Sequence, residues 1–207
     1  MVKYIFILGR PGCGKSFIFE ILNKRFKSQG IAEKLEKIDD FPVLKELLNK
    51  DTELKKHITK DGGFAVMDQS VLNKALQIIN KRLPKITSPQ KIIFIEFARN
   101  NYKEALNNFS SEILKNSVIL YIKTSLETCL KRNKERFKKG MKADDHIVPP
   151  RVMESYYKTD DIEESLLKNK KSELENIFVL ENDNISVEEL KLRLDDFVKF
   201  FIETKNK

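Results

Sequence analysis

The sequence is short of the residues that mark several protein classes. Its 207 residues include no Trp, two Cys, two His, six Pro and seven Gly. The cysteines, Cys13 and Cys129, provide no disulfide framework, so a reducing, cytoplasmic setting is expected. Scarce Gly and Pro exclude long flexible linkers. There is no internal repeat and no low-complexity tract. No apolar run reaches eighteen residues, so no membrane span is expected. The opening MVKYIFILGR runs from a short apolar stretch into a glycine loop and lacks the cleavage site of a signal peptide. No Cys/His spacing suggests a metal-binding lid.

What is present suits one ordinary domain over residues 1–207. Hydrophobic residues make up 41%, enough for a sizeable core at this length. The formal net charge of +8 suits an anionic partner such as a nucleoside triphosphate, a nucleotide or nucleic acid. It equally fits a solvated lysine surface, because Lys is scattered along every expected helix. Both a monomer and a homodimer are compatible with this composition.

Hydrophobic patterning alternates strands with helices. Val2 to Leu8, Lys91 to Ala98 and Val118 to Ile122 read as strands buried on both faces, with Ile177 to Leu180 as the last. Glu33 to Ile38 is a weaker strand candidate. Helices are expected from Lys15, with Phe17, Ile18, Ile21, Leu22 and Phe26 on one face. Others should follow Pro42, and Asp68 or Ser70, the latter ending at Pro84. Further helices are expected over Tyr102 to Lys115, after a Thr124/Glu127 capping box, and over Arg151 to Leu167. A Ser186/Glu189 box opens the last, which should bury Leu190, Leu194, Phe197, Val198 and Phe201. Lys139 to Pro150 reads as a loop. Strands apolar on both faces belong in a parallel sheet covered on each side. The expected fold class is therefore α/β, three-layered, with about five parallel strands.

Gly9-Arg10-Pro11-Gly12-Cys13-Gly14-Lys15-Ser16 matches G-x-x-x-x-G-K-[ST] in full, between a buried strand and an amphipathic helix. Each part has a physical task. The glycines let consecutive N–H groups turn toward phosphate oxygens. The helix N-terminus adds partial positive charge. Lys15 brings a full charge to the β- and γ-phosphates, and the Ser16 hydroxyl can ligate Mg²⁺. Gly9, Gly12, Cys13, Gly14, Lys15, Ser16 and Phe17 are the expected ATP-binding residues. Cys13 fills a variable position of this loop.

Glu96 ends a buried strand, and Arg99 follows three residues later. At the carboxyl end of a parallel strand, a carboxylate can hold the water shell of Mg²⁺. The arginine can grip an acceptor phosphate through two N–H groups. Arg132 and Arg136 share a helical face ahead of the loop and can close over the transferring phosphoryl group. The same pair also suits a solvated basic face. Asp39 and Asp40 stand at the acceptor end, one to cap the next helix and the other to meet the acceptor. His146 is a lone loop histidine and carries little signal.

The order of these parts resembles the adenylate kinase family of nucleoside monophosphate kinases over most of the chain. GRPGCGKS is similar to that family's phosphate loop. KDGGFAVMDQSVLNKALQIINKRL resembles the stretch closing its acceptor-binding helices. EFAR stands at its acidic residue and phosphate-binding arginine. LETCLKRNKERF and YYKTDDIEESLL resemble the helices entering and leaving its lid. The resemblance implies an acceptor-binding helical insert near 40–62 and a short lid near 137–158. The family's arginine on the acceptor helix has no match in DDFPVLKELL, and Lys158 stands where its arginine precedes two aspartates, here Asp160 and Asp161. RNKERF with VPPRVMESYY also resembles polynucleotide 5′-hydroxyl kinases and related small-molecule kinases.

Three functions follow as expectations. The first is ATP- and Mg²⁺-dependent transfer to a nucleotide-like acceptor such as a nucleoside monophosphate, with Lys15, Glu96, Arg132 and Arg136 as the catalytic residues. The second is transfer to a hydroxyl of a nucleoside, polynucleotide end or other small alcohol, with Asp39 or Asp40 as base. The third is a nucleotide-dependent nucleic-acid-binding module without transfer. For that last role, few aromatic residues are interleaved with basic ones outside Arg151 to Lys158.

Overall fold

The computed structural model describes residues 2–51, 57–60, 63–66, 68–138, 148–162, 164 and 176–206. Five strands form one parallel sheet: β1 (Tyr4–Leu8), β2 (Lys34–Asp39), β5 (Lys91–Phe97), β6 (Ser117–Lys123) and β7 (Ile177–Glu181). Their spatial order is β2-β5-β1-β6-β7. β1 lies at the centre and its residues are buried throughout, as the apolar run dictates. Successive side chains alternate between two cores. Tyr4, Phe6 and Leu8 enter one with Ile93, Ile95 and Phe97, whereas Ile5 and Ile7 enter the other with Ile92 and Phe94.

Helices cover each face. The first core is closed by α2 (Asp40–Asn49), α3 (Ser70–Ile86), α4 (Tyr102–Leu106) and α5 (Ser111–Lys115). The second is closed by α1 (Lys15–Ser28), α6 (Leu126–Lys138), α7 (Pro150–Ser155) and α8 (Val187–Lys205). The five expected residues of α8 are all buried, and Ser186 caps it by accepting from the Glu189 N–H. β2 is an edge strand and only half-buried, which explains its weak apolar signal.

Several local expectations are revised. α3 runs through Pro84 to Ile86, because a proline in the last turn removes a single intrahelical donor. The helix expected over Tyr102 to Lys115 is two short ones, since Ser110 caps a new start at Ser111. The side chain capping α6 is Ser125, which accepts from Thr128 N, and Thr124 instead donates to the Asn182 carbonyl. Phe17 lies off the buried face of α1, 46% exposed. Within 40–62, α2 is followed by β3 (His57–Lys60), which pairs antiparallel with β4 (Gly63–Val66). His146 and most of the loop expected over Lys139 to Pro150 lie outside the described residues, as does most of 163–175.

Candidate active site

β1 and β5 are adjacent and parallel, so the loops at their carboxyl ends meet. The glycine loop leaves β1 after Leu8, and Leu8 is level with Phe97 of β5. Gly12 and Gly14 hold φ of 83° and 102°, values that side chains rarely tolerate. Space forbids a substitution at Gly12 as well: a Cβ there would lie 2.7 Å from the Cys129 carbonyl oxygen. The loop is also tied from outside. Tyr102 accepts a hydrogen bond from Gly9 N at 3.0 Å, and Asn182 donates to the Cys13 carbonyl at 2.7 Å.

Lys15 is buried within the loop, donating to the carbonyls of Gly9 at 3.0 Å and Arg10 at 3.1 Å. Burial pulls its pKa down, but neighbouring groups, Glu96 and Asp39 among them, lift it above the ordinary lysine value. Cys13 and Cys129 are both buried, and burial raises both thiols, Cys129 to about 12. Neither is an activated nucleophile.

The strand register brings the expected carboxylates together. Asp39 of β2 pairs in register with Glu96 of β5, and Glu96 with Ile7 of β1. Asp39 caps α2 by accepting from Phe41 N at 2.9 Å. Burial, then the charge of Asp40, raises its pKa above the usual carboxylate value. Asp40 instead pairs with Arg99, whose Nη2 donates to its Oδ2 at 2.6 Å. Burial raises the Asp40 pKa although Arg99 opposes it. Arg99 also donates to the carbonyls of Leu72 and Ala98, while its buried Nε has no hydrogen-bond partner.

One cavity of ≈ 510 Å³ joins these groups. Gly12, Gly14, Lys15 and Ser16 line its phosphate-loop end. Asp39, Asp40, Glu96 and Arg99 also line it, with Phe41, Leu44, Leu72, Phe97, Tyr156 and Tyr157. Arg136 and Asn133 of α6 also face it. Arg132 does not line this cavity; it packs behind the loop, donating to the carbonyls of Asn182 at 3.2 Å and Cys13 at 3.5 Å. Phe17 is likewise absent from the cavity wall.

Sequence reasoning missed Lys37, the clamp made by Arg10 and the bonds made by Asp160 and Asp161. Lys37 lies two residues before Asp39, hence on the same strand side, a spacing that could have revealed it. Its Nζ is 3.1 Å from Glu96 Oε2, 3.5 Å from Ser16 Oγ and 3.9 Å from Asp39 Oδ2. Arg10 clamps the loop to the segment after α7, donating to the carbonyls of Tyr157, Thr124 and Lys158 and pairing with Asp160 at 3.4 Å. Asp160 also accepts from the Tyr121 hydroxyl, and Asp161 accepts from the backbone N–H groups of Tyr102 and Lys103. The aspartate pair thus anchors this segment to α4 and β6. No signal in the local sequence marked these long-range bonds.

Ser16, Glu96 and Asp39 are hard oxygen donors gathered around one cationic group, which fits the chemistry of Mg²⁺. Among the described residues no cluster of three or more His, Cys, Asp or Glu could hold a metal ion. Phosphate oxygens of a nucleotide would have to complete the shell.

The chain is similar over nearly its whole length to solved structures of P-loop kinases. A sugar kinase from Janibacter sp. HTCC2649 superposes with a TM-score of 0.56 at 15% identity, covering 99% of this chain and 98% of that one. The APS kinase of Mycobacterium tuberculosis, in complex with AMPPNP and APS, gives 0.54 at 13% identity, with 96% and 98% covered. A gluconokinase from Sinorhizobium meliloti 1021 gives 0.58 at 11% identity, with 99% and 94% covered. The fold is that of the P-loop kinases. No family model matches the sequence, and no curated protein does. The expected three-layer fold with its all-parallel five-stranded sheet stands, and the likeness extends to P-loop kinases at large rather than to adenylate kinases in particular.

Proposed function

We propose that the protein is an ATP-dependent kinase that transfers the γ-phosphoryl group to a hydroxyl of a small acceptor. The observation that carries this reading is the acidic acceptor end, where Asp39 and Asp40 line the cavity and Arg99 is already paired with Asp40. A phosphate acceptor would meet two carboxylates there, with Arg99 Nη2 already engaged by Asp40. A hydroxyl acceptor needs a carboxylate, because it must lose a proton as it attacks. The names of the structural neighbours, a sugar kinase and a gluconokinase, agree with this reading.

ATP lies with its phosphates on Gly12, Gly14, Lys15 and Ser16. Ser16 and, through water, Glu96 would hold Mg²⁺, which would supply positive charge to offset that of the triphosphate. The acceptor oxygen attacks the γ-phosphorus, the bond to the bridging oxygen breaks, and ADP leaves. Asp39 takes the acceptor proton. Burial, then the charge of Asp40, raises its pKa above the ordinary carboxylate value, which favours it as a proton acceptor. Arg136 faces the cavity from α6 and stabilises charge on the transferring group.

A nucleoside monophosphate acceptor is the second reading, favoured by the unpartnered Arg99 Nε. Radiolabelled ATP with Mg²⁺ and a panel of polyols, sugars, nucleosides and nucleoside monophosphates separates the two. Phosphate esters formed from hydroxyl acceptors support the proposal. Diphosphates as the sole products would replace it with the second reading, and full activity in Asp39→Asn would remove Asp39 as the base.

A further inference from the structure

The ammonium of Lys37 sits where the oxygen donors for a metal converge. Ser16 Oγ, Glu96 Oε2 and Asp39 Oδ2 lie 3.5, 3.1 and 3.9 Å from it. These groups come from three elements: the start of α1, the end of β5 and β2 itself. The ammonium also faces the ring of Phe19, 5.9 Å from its centroid, an attractive arrangement for a cation. The side chain is only half-buried, 25% exposed, so it has room to leave.

An ammonium and a divalent ion cannot share this position. Each needs the same carboxylate oxygens, and at that separation their charges repel strongly. Without a bound cation, Glu96 and Asp39 would face each other across adjacent strands with only Lys15 nearby. We infer that Lys37 is a displaceable internal cation: it holds the metal position in the nucleotide-free protein and yields it when the metal arrives with the triphosphate. Nucleotide-free protein therefore resists loading with metal alone. Metal and nucleotide enter together, because only the added phosphate oxygens tip the exchange against Lys37. This rests on nucleotide binding at the glycine loop, part of the function proposed above, but on neither the acceptor nor the transfer step.

The test is Mn²⁺ binding to the nucleotide-free protein, followed by electron paramagnetic resonance, for the wild type, Lys37→Met and Lys37→Arg. Removing a full positive charge from the donor set should tighten Mn²⁺ binding in Lys37→Met by about tenfold or more. Lys37→Arg keeps the charge and should bind as weakly as the wild type. Calorimetric ATP titrations in EDTA provide the second readout: Lys37→Met should lose metal-free ATP affinity relative to wild type and regain it with Mn²⁺. If Lys37→Met takes up Mn²⁺ no better than the wild type while its circular dichroism is unchanged, Lys37 is a structural ion pair and the inference falls. A wild-type protein that binds Mn²⁺ weakly, is improved by Lys37→Met and never binds ATP would sink the kinase reading but keep Lys37 as the cation holder.

Discussion

Arg99 Nη2 donates to Asp40 Oδ2 at 2.6 Å, and both side chains are at least nine-tenths buried. The pair joins the loop after β5 to the start of α2, and both residues line the cavity. It engages Nη2 of the arginine that the sequence suggested would grip an acceptor phosphate, while Nε of the same side chain has no hydrogen-bond partner. Removing Arg99 would leave Asp40 with the full cost of burial. Arg99→Met is expected to destabilise the fold by about 3–5 kcal/mol at pH 7.

The pH dependence of that loss has a definite sign. Burial already raises the Asp40 pKa, and losing Arg99 raises it further. A carboxyl with a raised folded pKa contributes stability that is fully present below its unfolded value of about 3.9 and is lost as pH rises through the folded value. The deficit of Arg99→Met should therefore be greatest at neutral pH and shrink toward pH 4. Urea titrations at pH 7 and pH 5 measure it, and an equal deficit at both would mean that Asp40 is not the group left unpaired.

Asp39 combines a helix cap with the proposed base. Asn caps as well as Asp, so Asp39→Asn keeps the bond from Phe41 N. It also removes a carboxylate whose pKa is raised by burial and by Asp40. Its Tm should equal or exceed that of the wild type at pH 7, with the difference growing as pH rises from below about 3.9 through the folded value. Phosphoryl transfer to a hydroxyl should fall by about 10²–10⁴. Calorimetry and a kinase assay on one preparation check both; a large fall in Tm would show that the charge itself stabilises α2.

Arg132 and Arg136 are expected to separate. Arg136 faces the cavity, so Arg136→Ala should lower kcat by about 10²-fold or more with little change in stability. Arg132 holds the carbonyls of Cys13 and Asn182, so Arg132→Ala should loosen the loop and weaken nucleotide binding and stability. Steady-state kinetics with thermal melts of both variants distinguish the roles. Equal kcat losses without any stability change would return Arg132 to the transfer machinery.

Tyr102 is fully buried, and its hydroxyl accepts the Gly9 N–H. Tyr102→Phe keeps the ring and leaves a buried backbone donor unsatisfied. Destabilisation of about 1–3 kcal/mol is expected, with weaker nucleotide binding because Gly9 opens the phosphate loop. Denaturant unfolding and nucleotide titration measure both effects, and an unchanged midpoint would show that Gly9 N finds another acceptor.

Much of this was legible along the chain. The glycine motif is local, because a turn that points several N–H groups at one anion needs glycines at fixed spacing. The buried strands announced themselves because parallel strands covered on both faces must be apolar at every position. β2 was faint because an edge strand is only half-covered, and Lys37 was hidden within it. Tertiary structure alone decided which charges meet. Strand register put Asp39 beside Glu96 and drew Lys37 to both, and the packing of α2 against α3 gave Arg99 its partner in Asp40. Helix rotation turned Arg136 into the cavity and Arg132 behind the loop, although four-residue spacing put both on one face. Spacing identifies which side chains share a face; only the arrangement of neighbouring elements determines what that face meets.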